Sequence, residues 1–239
     1  MVAALEADVE FEALFADTSL ADRSDIRAIV SRANARGVRA FGLEPAVFAK
    51  VSDALTPQPI SATVRFVTPA LSELPTGGLT MVLHDLRDPG NVGTIIRSAD
   101  AAGVDAVVLT GQSVDPFNPK TLRATAGSIF HLPVVVGDLE PTLAHYAAAG
   151  SHTWATVVRG GTELLDCELS GPSVVVIGNE AEGLDDESVG RCQSTMSIAM
   201  AGANESLNAG VAASLVAFMA YWQREGRVAG LIPRSLGGS

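Results

Sequence analysis

Two patterns of apolar and polar positions divide this chain. Over the first 70 residues short apolar segments alternate with breaks, which predicts a small α/β unit. Residues 11–15 read as a strand. Within residues 22–36, Ile26, Ile29, Val30 and Ala33 share a face, with Arg23, Asp25, Arg32 and Arg36 largely outside it, so this stretch reads as an amphipathic helix. A short strand at 38–42 follows Gly37, a second helix covers 45–55, and 61–67 alternates as an edge strand does. The pattern opens abruptly, so the unit is expected to lack a first strand at its N-terminus. Residues 71–78 (LSELPTGG) have linker composition. From 79 to 230, short apolar strands alternate with helical segments, the pattern of a parallel sheet covered on both faces. The strands are 80–84, 106–109, 132–136, 153–157, 174–177 and 195–198; the helices are 92–102, 141–149 and a long final one at 207–225. Residues 231–239 read as a flexible tail.

Composition narrows the class. With 239 residues, 47% hydrophobic and 18% charged, the chain is long and apolar enough to bury a core rather than stay disordered. No apolar run reaches the ~20 residues of a membrane helix, and the N-terminus lacks the basic-then-apolar order of a signal peptide. Cys167, Cys192 and the four histidines have no metal-ligand spacing, so neither metal nor disulfide is expected and the compartment reads as cytoplasmic. The net charge of −11 argues against a general nucleic-acid coat but leaves room for a local basic patch.

Three polar loops follow predicted strands. The first, HDLRDPGNVGTIIRSADAAG at 84–103, passes through an Asp-Pro-Gly turn into a helix whose first N–H groups can hold an anion or a polar edge. Asn91 can cap it, and Arg97 lies well inside it, with a surface ion pair to Asp100 as the structural alternative. Gly90-Asn91-Val92-Gly93 has the wrong spacing for a dinucleotide fingerprint. The second loop, IGNEAEGLDDE at 177–187, has Gly178 for close backbone approach and Gly183 for a turn, beside Glu180 and Glu182. The carboxylates have a solvated, helix-capping alternative. In the third, AMAGANESLN feeds the last helix, with Ser206 as a natural N-cap and Asn208 in its first turn. Ligands of open α/β sheets bind beyond the carboxyl ends of strands, where all three loops lie.

Together, DPGNVGTIIRSADAAG, VIGNEAEGL and SIAMAGANESLNAGVAAS resemble, in order and spacing, the three motifs of the TrmH (SpoU) branch of the SPOUT RNA methyltransferases. SVDPFNPKTLRATAGSIFHLPV resembles the family's segment between the first two motifs, and the first 70 residues are more loosely similar to its small RNA-recognition domain. The resemblance implies an α/β fold in which a parallel-sheet SPOUT domain with a trefoil knot follows a small α/β substrate-binding domain. It also implies a homodimer that transfers a methyl group from S-adenosylmethionine (SAM) to a ribose 2′-hydroxyl of RNA. Carried over by position, Gly178, Ile198 and Leu207 match cofactor contacts, with Met200 and Leu109, Thr110 and Gly111 at a strand end lining the same pocket. Arg97 matches the arginine that activates the hydroxyl, and Asn91, Glu180, Ser206 and Asn208 match the other polar catalytic positions. For RNA, Arg32, Arg36 and Arg39 cluster in the small unit, with an ordinary solvated face as their alternative; Lys120 and Arg123 follow the second strand of the large one.

The chain departs from the family pattern where Gln58-Pro59 replaces a glutamine-glycine pair, and in its acidity. A small N-terminal domain favours rRNA over tRNA. A non-catalytic RNA-binding or assembly factor of the same fold is the competing reading, and the intact polar motif residues count against it. A nucleotide-binding oxidoreductase would need G-x-G-x-x-G after the first strand, which is missing.

Overall fold

Helices and strands of the small unit enclose a core of Leu5, Leu14, Ala33 and Val38. The computed structural model describes residues 1–7, 9–52, 58–202 and 206–227, and the chain divides into Met1–Val67 and Thr68–Ser239. In chain order the first unit holds α1 (Val2–Glu6), β1 (Glu10–Asp17), α2 (Ser24–Ala35), β2 (Ala40–Leu43), α3 (Pro45–Val51) and β3 (Ile60–Arg65). Its sheet runs β2-β1-β3, with β2 parallel and β3 antiparallel to β1. The C-terminal part of the helix expected at 45–55 lies, from residue 53, outside the described residues. Helix α1, too short to show a period, is held by two of the arginines expected to face RNA. Arg36 donates to the carbonyls of Leu5 and Ala7, and Arg32 pairs with Glu6 at 3.4 Å.

The second unit contains β4 (Leu79–His84), α4 (Pro89–Ala101), β5 (Ala106–Thr110), α5 (Pro119–Ala124), β6 (Val134–Val136), α6 (Leu139–Ala148), β7 (His152–Thr156), β8 (Thr162–Glu163), β9 (Ser173–Ile177), α7 (Asp186–Gly190), β10 (Ser194–Ser197) and α8 (Ala209–Arg224). Its seven strands lie in the order β6-β5-β4-β9-β7-β10-β8, and every neighbouring pair is parallel. The apolar runs LTMVL and VVVI form central strands β4 and β9, buried on both faces as a helix-covered parallel sheet requires. Each fully buried valine or leucine there contributes about 1.5–3 kcal/mol. Leu74, within the stretch of linker composition, is buried in the same core as Val82, Val176 and Tyr146.

Strand order does more to place the site than chain order. The chain returns after β8 to insert β9 between β4 and β7, then places β10 on the far side of β7. The carboxyl ends of β7, β9 and β10 therefore lie side by side. The last helix is anchored at its opposite end to the segment leading into β9. Gln223 donates to the Cys167 carbonyl (2.8 Å) and accepts from the Leu169 N–H (2.7 Å), and Arg224 donates to the carbonyls of Leu169 and Gly171 (3.2 Å each).

Candidate active site

A cavity of about 250 Å³ opens at those three strand ends. Its walls are residues 156–158 after β7, 177–184 after β9, and 196–198 with Met200 after β10; Ser206, Leu207, Ala209 and Ala212 close it from the start of α8. Gly178, Ile198, Met200 and Leu207 all line it. Gly178 is required by the tightness of the second loop. A Cβ there would lie 2.5 Å from the backbone of Gly183 and Leu184, which cannot give way as a flexible side chain would. That loop is closed by paired backbone hydrogen bonds between Asn179 and Gly183 (3.1 and 3.0 Å).

Three of the polar positions form one hydrogen-bonded line. Asn208 donates from Nδ2 to Asn91 Oδ1 (2.9 Å), and Asn91 donates from Nδ2 to Glu180 Oε1 (2.9 Å). Each loop contributes one member, although they come from positions 91, 180 and 208. The line has a direction, because Asn91 has one acceptor and one donor side and uses both. Behind it, α8 packs on α4 closely enough that a Cβ on Gly210 would meet Thr94 at 3.4 Å and Asn91 at 3.5 Å. The Ser214 hydroxyl bridges the Gly210 carbonyl (2.6 Å) and the Ser98 hydroxyl (2.7 Å), fixing the two helices at the residue next to Arg97.

Arg97 lies six residues along α4 from Asn91, about 9 Å up the helix axis. It is exposed and forms no ion pair among the described residues. The pairing with Asp100 does not occur; the Asp100 carboxylate instead meets His131 Nδ1 at 2.9 Å. Ser206 is exposed at the cavity wall, outside the hydrogen-bonded line.

Some expectations change. The cap of α4 is Asp88, whose Oδ1 accepts from the Asn91 N–H (2.8 Å), leaving the Asn91 side chain for Glu180 and Asn208. The cap of α8 is Asn208, which accepts from the Val211 N–H (3.2 Å), in place of Ser206. Residues 109–111 do not line the cavity: β4 stands between β5 and β9, so the β5 end opens elsewhere. Leu109 and Thr110 are buried and Gly111, at φ 65°, packs against Asp85. The strand end that does line the cavity is that of β7, with Thr156, Val157 and Val158. Their only signal in the sequence is an apolar strand ending in a polar break, which β5 shares. Lys120 and Arg123 are exposed on α5, which packs on α4 where Gly93 leaves room for Ala124. Arg39 is also exposed.

The pattern of the SpoU rRNA Methylase family matches residues 78–218, which includes every wall of the cavity. The chain belongs to this family. Its relatives include the 23S rRNA (guanosine(2553)-2'-O)-methyltransferase RlmP of Bacillus subtilis, 34% identical over 76% of this chain and 72% of that protein. The 23S rRNA (uridine(2479)-2'-O)-methyltransferase of Streptomyces viridochromogenes is 38% identical over 59% of this chain and 52% of that one. Among solved structures, the SAM-bound rRNA methyltransferase from Sinorhizobium meliloti superposes with a TM-score of 0.82 at 29% identity, covering 93% of this chain and 84% of that one. The SpoU methyltransferase AviRb from Streptomyces viridochromogenes, with the same cofactor, gives 0.82 at 28% identity over 94% and 87%. The SPOUT fold expected from the motifs is thus the fold of this family member.

Among the described residues, no group of three or more His, Cys, Asp or Glu side chains is arranged to hold a metal ion, and no helix is long and apolar enough to cross a membrane.

Proposed function

We propose that this chain transfers the methyl group of SAM to a ribose 2′-hydroxyl of rRNA, in the cytoplasm, using the three loops that follow β4, β9 and β10. The observation that carries this reading is the hydrogen-bonded line Glu180–Asn91–Asn208 beside a cavity of family-matched residues.

The cavity fits the cofactor in chemistry. Val157, Ile198 and Leu207 offer apolar surface for an adenine ring. The backbone of the tight loop at Gly178 offers polar groups, and the carboxylates of Glu180 and Glu182 suit a cationic sulfonium and ammonium. SAM supplies the electrophilic methyl group. The protein's own part is to orient the hydroxyl and to stabilise the negative charge that develops as it attacks.

Arg97 takes the second role. A guanidinium keeps its proton across the accessible pH range, so it cannot serve as the base. It stabilises the alkoxide or holds the adjacent phosphate by preorganised charge, while the proton leaves to that phosphate or to water. Asn91, Glu180 and Asn208 align the substrate, and Ser206 lies at the cavity mouth. Holding oxygen and methyl carbon in line makes a bimolecular step effectively unimolecular.

RNA contacts fall to Arg39, Lys120 and Arg123, because Arg32 and Arg36 are engaged by α1. A second copy of the chain completes the assembly. Val211, Leu215 and Trp222 are exposed along one face of α8, with Phe218 half-buried among them, an apolar stripe at helical spacing that a homodimer would cover. Pairing would also combine the cations of both subunits against the acidic total. The same reading includes a trefoil knot in the segment from β9 to α8. Mapping 2′-O-methyl positions in RNA from cells with and without the protein tests the function, and rRNA lacking one such methyl in the deleted strain is the expected result. Loss confined to tRNA would move the substrate to that class.

A further inference from the structure

Behind the line of Glu180, Asn91 and Asn208 lies a second connection between the first two loops. Asn179 Nδ2 donates to the main-chain carbonyl of Asp85 at 2.9 Å. Both residues are committed to their own loops. Asn179 Oδ1 accepts from the N–H groups of Ala181 (2.8 Å) and Glu182 (3.4 Å), so this side chain shapes the turn that carries Glu180. Asp85 has φ 57°, in the left-handed region that non-glycine residues seldom occupy, and it stands three residues before Asp88, the cap of α4. Its strained turn is held from the other side: Asp85 Oδ1 accepts from the Gln112 N–H at 2.6 Å, and its own N–H donates to the Thr110 carbonyl at 3.2 Å. Such strain is kept only where the surroundings over-determine it, and it concentrates near functional sites.

We propose that Asn179 and Asp85 form a clamp that sets the spacing of the loops presenting Glu180 and Asn91, which makes both positioning residues for methyl transfer; the inference rests on the site proposed above. The clamp assigns a role to residues 110–112 as well. They do not reach the cavity, but they fix Asp85, and a Cβ on Gly111 would lie 2.3 Å from its carboxylate. Groups supporting a reacting constellation typically cost about tenfold to a hundredfold when lost, because small displacements are felt steeply.

Asn179→Asp separates clamp from turn. The carboxylate still accepts from Ala181 and Glu182 but presents an acceptor to the Asp85 carbonyl. The test is a double-mutant cycle with Asn91→Ala, read as the single-turnover rate of tritiated methyl transfer from SAM to purified 23S rRNA, alongside SAM affinity and melting temperature. Asn179→Asp is expected to slow transfer at saturating SAM about tenfold to a hundredfold with near-parental melting, yet to add under about twofold once Asn91 is gone. A parental rate, or the full loss repeated in the Asn91→Ala background, overturns the clamp. Should Asn179→Asp not fold, Asp85→Gly serves in the same cycle, since glycine accepts φ 57° but loses the anchor to Gln112. A several-fold loss that vanishes without Asn91 supports the clamp, and a parental rate overturns it. A parental rate for Asn91→Ala alone contradicts the site reading itself, and the clamp with it.

Discussion

Asn208 and Asn91, 117 positions apart in the chain, are joined by a 2.9 Å hydrogen bond in which the Asn208 amide donates and the Asn91 carbonyl oxygen accepts. The same Asn208 side chain accepts from the Val211 N–H at the start of α8. One residue thus caps the last helix and orients the first motif.

These two roles can be separated. Asn208→Asp keeps the cap acceptor but turns an oxygen toward Asn91 Oδ1. Flipping the Asn91 amide would only move the mismatch to Glu180, since the line needs a donor at one side and an acceptor at the other. The expected result is a melting temperature close to the parent with methyl transfer lowered at least about tenfold, in line with the loss of a supporting hydrogen bond. Asn208→Ala removes both roles and should cost about 0.5–2 kcal/mol of stability, a few degrees in a chain this long. Thermal melts paired with initial rates check it; equal rates for the parent and Asn208→Asp would remove the line from the mechanism.

Arg97→Ala tests charge stabilisation. Removing a preorganised group of this kind costs about 10²–10³ in turnover. SAM affinity by calorimetric titration should be unchanged, because Arg97 lies outside the cavity lining. Parallel loss of affinity would move Arg97 from the chemistry to cofactor binding.

Gly178→Ala should act on binding instead. Its Cβ would meet backbone atoms of Gly183 and Leu184 at 2.5 Å, so the loop must open, at a cost of about 1–3 kcal/mol for overpacking. SAM titration should show weakened or absent binding; parental affinity would show that the loop yields without disturbing the cavity.

Cys167 is 2% exposed, and burial pushes its thiol up to about 11 from a usual value of 9.0, with Asp166 adding to the shift. A thiol whose folded value is raised stabilises the fold below its unfolded value, and that contribution is lost as pH rises from about 9 to about 11. Denaturant midpoints should therefore fall across that window, and the fall should be smaller in Cys167→Ser. A thiol reagent should label Cys167 slowly at pH 8 until the chain unfolds; rapid labelling in the folded protein would contradict its burial.

Much of this site could be read from the chain because its members sit in local motifs. Asp-Pro-Gly at the start of α4, Gly178 after β9 and Asn208 before α8 each carry a local signature of a turn, a close approach or a cap. Pairing those signatures with the correct side chain was harder. Asp88 and Asn91, like Ser206 and Asn208, are both competent caps, and only the fold shows that the spare amides of Asn91 and Asn208 meet. Strand order was not legible either. Nothing local in VVVI says that β9 inserts between β4 and β7, and that insertion is what puts Thr156 at the cavity and moves Thr110 away. Helix α5 had a readable start, with Asn118 capping and Pro119 in its first turn, but six residues are too few for a period.

The central claim is methyl transfer to a ribose. Incubating the protein with methyl-tritiated SAM and purified rRNA, then digesting the RNA to nucleosides, measures it directly. The account predicts label in a single 2′-O-methylnucleoside, incorporated at least about a hundredfold more slowly with Arg97→Ala; label in a base-methylated nucleoside, or no label with folded protein, would contradict it.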